Sequence, residues 1–336
     1  MPGLQTSSIL VPVFAGPAAS VPIPRAAPMP TRPMTPARWA LLLATGASFA
    51  SSVVLNKTLV GDLPSITLAA ARVLLALPFC LLALLLSGAR LPRDRDDRRT
   101  TFLVSLGVIV VPYCALAIGQ QTIASGLSGI LYSTMPLFTL LAAQLMLPDE
   151  KLGARKLLGI AIGMGGVVAV IGPGLLAGLG DHVFGELVTL LGPLAYALAT
   201  VLMRRSRHLD PVGLTAGLFL SAALILVPLA MIVDRPWQLD LDASILVRLL
   251  ALALVGTILP AVLNYLLLQR VGATRASISM FLMPLFAIGF GALFLGERLG
   301  AGAFVGLALI LAASRLVTHA PSTLPRAGVV EPQAQR

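Results

Sequence analysis

Charge is scarce in this sequence. Of 336 residues only 11% are Asp, Glu, Lys or Arg, less than half the share with which a soluble domain keeps its surface hydrated. Histidine occurs three times, tryptophan twice and cysteine twice. Cys80 and Cys114 both lie inside apolar runs, so neither a disulfide framework nor a Cys/His metal site is expected. A Gly-rich phosphate loop and a nucleophile motif are also missing. No catalytic residue, metal or cofactor is therefore predicted. The net charge of +10 does not indicate nucleic acid, because the basic residues sit in short clusters between apolar runs instead of along one face.

Apolar surface is what the chain has in excess. At 57% hydrophobic, it carries more than a domain of this size hides from water, and it must be dissolved in lipid. Residues 1–38 stand apart. Nine prolines fall within the first 37 positions, which predicts a disordered tail without the basic start and apolar core of a signal peptide. From Trp39 onward ten apolar runs are long enough to cross a hydrocarbon core, near 39–59, 66–87, 101–120, 125–147, 155–172, 184–203, 213–233, 246–268, 275–295 and 301–318. Helix is the expected state of each, since lipid offers the backbone no other partner.

The runs form two similar halves, 39–172 and 183–318, followed by a tail at 319–336. Met135-Pro136-Leu137-Phe138 returns as Met283-Pro284-Leu285-Phe286, 148 positions later. Glu150-Lys151-Leu152-Gly153 returns as Glu297-Arg298-Leu299-Gly300, and Pro112 and Pro260 each stand 24 positions before their copy's proline. Lys and Arg collect in alternate loops. With the N-terminus inside, 19 of the 24 fall on the cytoplasmic side, which places both termini there. Five spans per half is an odd number, so the second half enters the bilayer inverted, a plan that transport proteins use repeatedly. The predicted fold is an all-α integral membrane protein of ten transmembrane helices, two inverted five-helix repeats around a central cavity.

Polar side chains at helical spacing mark the faces turned away from lipid. Helix 1 carries Thr45, Ser48, Ser52 and Asn56. Helix 6 carries Glu186, Thr189, Pro193, Tyr196 and Thr200. Helix 4 offers Ser125, Ser128, Tyr132 and Pro136; helix 8 offers Thr257, Pro260, Asn264 and Tyr265; helix 9 offers Ser277, Phe281 and Pro284. Helices 5 and 10 lack such a stripe and are predicted at the periphery. The pairs Gly159/Gly163 and Gly302/Gly306 have the small-xxx-small spacing of close helix packing, within a monomer or in a homodimer. Arg72, about 9 Å below the outer end of helix 2, is a candidate anchor for a carboxylate, and Glu186 a candidate partner for an ammonium. Candidate substrate contacts are thus Asn56, Arg72, Tyr132, Glu186, Tyr196, Asn264, Tyr265 and Phe281. Pro112, Pro136, Pro193, Pro260 and Pro284, each removing a backbone donor within a span, are the candidate hinges. No Asp, Glu or His lies near the middle of a span, which argues for uniport or exchange over a proton pump.

Several runs resemble the EamA family of the drug/metabolite transporter superfamily. They are Val262 to Arg270, Gly272-Ala273-Thr274-Arg275-Ala276, Met283-Pro284-Leu285-Phe286, Leu295-Gly296-Glu297-Arg298-Leu299 and, in the first half, Ala69 to Ala76. The resemblance implies a bacterial inner-membrane carrier whose two inverted bundles alternate the opening of a central cavity, with helices 5 and 10 outside. Thr45-Gly46 stands where that family usually has Trp-Gly, Tyr196 where the second copy often has Trp, and Leu147-Pro148-Asp149-Glu150 is one residue longer than the usual turn. The expected cargo is a small metabolite, amino acid or drug-like compound moved outward. A channel-like pore and a membrane sensor that transports nothing are the alternatives.

Overall fold

The structure, a computed structural model, describes residues 35–146, 154–176, 181–203, 206, 208–271, 276 and 278–318. The expectations for residues 1–34, for the turn at Glu150, for Ser277 and for the tail at 319–336 lie outside the described residues. Helices account for nearly all of what is described, and no strand occurs among those residues. They are α1 (Pro36–Lys57), α2 (Ser65–Ser87), α3 (Arg95–Gly119), α4 (Ser125–Met146), α5 (Ala154–Leu176), α6 (Asp181–Met203), α7 (Pro211–Val233), α8 (Ala243–Val271), α9 (Ile278–Leu295) and α10 (Ala301–Thr318). Seven of them, α1 to α4 and α6 to α8, are long and apolar enough to cross a bilayer. Leu157–Val170, Ser279–Leu295 and Ala301–Leu316 are shorter apolar stretches in α5, α9 and α10. The chain is a multi-pass membrane protein.

Helices α1 and α3 are among those that start earlier than their apolar runs suggest. Helix α1 opens at Pro36 and not at Trp39, so the predicted tail at 1–38 ends sooner. Proline in the first turn costs no hydrogen bond, because that N–H has no partner within the helix. Helix α3 opens at Arg95, ahead of the run at 101, with Asp96 and Asp97 in its first turn. Carboxylates there complement the positive end of the helix dipole.

The packing is reciprocal between the halves. Helix α1 lies against α9 as α6 lies against α4, and α1 meets α8 as α6 meets α3. The self-paired contacts are α2 with α7, α4 with α9, and α5 with α10. Helices α5 and α10 turn Leu157, Val168, Phe304 and Val305 outward and join through glycine. A methyl group at Gly306 would lie 2.7 Å from Gly166 O and overlap Val170, and one at Gly163 would overlap Leu137. These two glycine faces are thus occupied within the chain. Gly306→Val is expected to destabilise the monomer by about 1–3 kcal/mol through overpacking, read as a lower melting temperature in detergent without a change in oligomeric state.

Candidate functional site

The polar faces are turned inward, and many of their hydroxyls are satisfied locally. Thr45 Oγ1 donates to Leu41 O and Ser48 Oγ to Thr45 O, at 2.7 and 2.9 Å. The exception is a knot beneath the end shared by the α1 C-terminus and the α2 N-terminus. It begins with a proline. Pro260 has no N–H to offer Gly256 O four residues earlier, and α8 relaxes there into a π-helical turn, Leu254–Ile258. Arg72 from α2 takes the freed acceptor. Its Nη2 donates to Gly256 O at 2.9 Å and to Ser52 Oγ of α1 at 2.6 Å, and its Nε donates to Thr257 Oγ1 at 2.8 Å. The guanidinium carbon stands 3.8 Å above the ring centre of Tyr113, within cation–π range.

Arg72 is 3% exposed, and no ion pair holds it to any carboxylate of the described residues. Its Nη1 is buried without a hydrogen-bond partner. A buried cation that is held only by dipoles and a ring leaves positive potential for an anion to neutralise. Tyr113 sits on the counterpart of the α8 distortion. Helix α3 has its own π-helical turn, Leu106–Val110, two residues ahead of Pro112. Pro112 O accepts a bond from the Tyr132 hydroxyl of α4 at 2.9 Å. The Tyr132 ring fits beside Gly192 of α6, where a methyl group would come 2.9 Å from Tyr132 Cζ.

Above the knot that end is tied shut. Gln120, fully buried, accepts from Asn56 Nδ2 at 2.9 Å and donates to Val53 O at 3.0 Å, while its own carbonyl accepts from Lys57 Nζ. Among the described residues four further ties join the halves at this end. Asp62 pairs with Arg248 at 2.7 Å, and Arg248 also donates to Thr58 O. Asp234 accepts from Thr67 N and Oγ1 at 2.7 and 2.9 Å. His182 Nδ1 lies 2.6 Å from Thr122 O. Glu297 accepts from Ser125 N, Ser125 Oγ and Gly126 N at 2.7, 2.9 and 3.0 Å. At the opposite end His208, in the turn before α7, lies 3.1 Å from the Asp97 carboxylate of α3.

The EamA-like transporter family matches the chain twice, over residues 38–172 and 183–319. The chain belongs to this family. Similar proteins include the uncharacterized inner membrane transporter YedA of Escherichia coli K12, 29% identical over 306 residues, covering 88% of this chain and 97% of YedA. The uncharacterized transporter YoaV of Bacillus subtilis is 24% identical over 258 residues, covering 76% and 88%. A solved crystal structure shares the fold with TM-score 0.56 and 18% identity, covering 82% of this chain and 96% of that one.

In this EamA-like transporter the candidate contacts do not converge on one point. Arg72 and Tyr132 border the same knot. Asn56 is spent on Gln120 in the seal above. Glu186 is buried near the start of α6, its Oε2 without a partner, as is the Oγ1 of Thr189 one turn on; no salt bridge joins Glu186 to Arg72. Tyr196, Asn264 and Phe281 are half-buried, and Asn264 makes no hydrogen bond to Arg72 or to the tyrosines. Tyr265 is 45% exposed and lines a lateral apolar groove of about 200 Å³ with Phe79 and Val262. Of the prolines, Pro112 and Pro260 adjoin the π-helical turns, and Pro136 follows a break at Ser133-Thr134 in α4. Pro193 and Pro284 lie in unbroken helices. Tyr113 and Gln120 are not among the sequence candidates, nor are Pro78 and Pro228, which lie inside the paired helices α2 and α7.

Proposed function

We propose that this membrane transporter is an alternating-access carrier that moves a small carboxylate-bearing metabolite, such as an amino acid, out of the cell. The observation that carries the reading is the Arg72 guanidinium, buried without a carboxylate and with Nη1 unsatisfied. A substrate carboxylate supplies the missing charge and an acceptor in one group. The matched π-helical turns beside Pro112 and Pro260 support a hinge in each half, since such turns store a local register change. The end at which α1 finishes is the end at which α6 begins, joined by His182 and Thr122, and this supports two inverted five-helix repeats with ten crossings in all. The seal at that end and the positive charge in the opposite loops support an inner-membrane protein closed toward the outside, with both termini cytoplasmic. YedA, its relative, is named for the same membrane.

The test is untargeted profiling of metabolites in cells and medium with the wild type, with Arg72→Ala and without the protein. Carboxylates should accumulate in the medium only with the wild type. Identical profiles with and without the protein would leave a sensor, and a flux that never saturates would leave a pore. Topology has its own check. In a background with Cys80 and Cys114 replaced by alanine, cysteines at Asp240 and Arg95 should label from opposite sides of the membrane. Labelling of both from one side would refute the arrangement.

A further inference from the structure

A second polar site lies on the flank of the bundle, away from the Arg72 knot. A cavity of about 390 Å³ opens between α3 and α7 beneath the loop that joins α2 to α3. Arg98 and Arg99 line it near the start of α3, and Phe102, Leu220 and Leu224 line it farther along α3 and α7. Leu224 is 67% exposed on the face turned toward lipid. Neither arginine side chain has a hydrogen bond or an ion pair among the described residues. Of the nearby carboxylates, Asp97 is engaged by His208, and Asp94 and Asp96 do not line the cavity.

Thr101 supplies the independent sign of a ligand. It lines the cavity and is 2% exposed, yet its Oγ1 has no partner. Thr45, Thr139, Thr200 and Thr215 all donate to the carbonyl four residues back, so the helix offers an easy solution that Thr101 does not take. Its hydroxyl is left for something that enters the groove.

We infer that this groove holds an anionic phospholipid, with its phosphate at Arg98 and Arg99, an ester oxygen in reach of Thr101, and an acyl chain along Phe102 and Leu224. Along α3 and α7 away from the loop the lining runs from paired guanidiniums to a lone hydroxyl to leucine. A phospholipid presents charge, ester and hydrocarbon in that same order. A free anion fits the arginines but leaves the apolar depth unfilled, and a zwitterionic headgroup brings a choline or amine toward two cations.

Native mass spectrometry of the full chain, released from micelles containing equal phosphatidylglycerol and phosphatidylcholine, tests this directly. The wild type should retain phosphatidylglycerol over phosphatidylcholine by about 30-fold, the scale expected for two basic residues. Arg98→Gln/Arg99→Gln should erase the preference. Thr101→Val, which keeps shape and removes only the hydroxyl, should weaken retention with both arginines intact, so the site stays testable if the double variant folds poorly. Equal retention of the two lipids by the wild type, or an unchanged preference in the double variant, overturns the proposal. So does displacement of the bound species by millimolar inorganic phosphate, which would assign the site to a free anion.

Discussion

Arg72→Ala should abolish saturable export, and it should do so by two separable routes. The first is structural. Alanine takes from Gly256 O the Nη2 donor that stands in for the N–H Pro260 lacks, and it strips Ser52 Oγ and Thr257 Oγ1 of the charge that they face. A buried acceptor left bare costs about 1–3 kcal/mol, and the space under Tyr113 adds to that. The second route is chemical, for the charge that neutralises the substrate carboxylate is gone. A charge-assisted bond is worth about 1.5–3 kcal/mol, a loss of roughly 10- to 150-fold in affinity. A second substitution divides the two. Pro260→Ala restores the missing N–H to α8, so Arg72→Ala/Pro260→Ala should recover much of the melting temperature in detergent and none of the export. Recovery of both would reduce Arg72 to a brace between α2 and α8. Arg72→Lys should fall between, since an ammonium keeps the charge but cannot reach three acceptors and the Tyr113 ring with one planar fork.

How much of this was legible in the residues depends on the reach of the interaction. The 148-residue shift between Pro112 and Pro260 was plain, and the structure places π-helical turns in the same register beside both. Helical spacing found the buried faces of α1, α4 and α6, because burial in lipid is a property of one helix at a time. It did not find their neighbours. Pro136 and Pro284 occupy equal positions, yet only α4 breaks. Tyr265 sits next to Asn264 but is turned about 100° around α8 from it, onto an exposed face, a rotation that adjacency in sequence conceals. Gln120 is the last residue of the apolar run 101–120 and carries no mark of its own in the sequence. Its burial comes from α1, 64 positions away, and no local pattern records that.

Glu297→Ala should open the sealed end. The first turn of α4 has Ala124 at its N-cap, which has no side-chain acceptor for the free N–H groups. Glu297, from the other half, takes that place and binds Ser125 N, Gly126 N and Ser125 Oγ. The turn that delivers it is made by Gly296, at φ 64°, which ends α9 and lets Glu297 N donate back to Gly291 O; this gives the Leu295-Gly296-Glu297 run a physical task. A carboxylate on a helix N-terminus adds a favourable dipole interaction to its hydrogen bonds. If removing it costs the closed state about 2 kcal/mol, the ratio of closed to open molecules falls by roughly 30-fold. Spin labels at Gln121 and Gly300, in the turns before α4 and before α10, should then show a second, longer distance that the wild type lacks. Glu297→Asp, shorter by one methylene, should give a smaller shift of the same sign. Glu297 tethers only the α4 end, whereas Asp62 with Arg248 and Thr67 with Asp234 tether the α2 end. Asp234→Ala on top of Glu297→Ala should therefore shift the distribution further, close to the sum of the two effects. An unchanged distance distribution in Glu297→Ala would mean that the seal is held elsewhere.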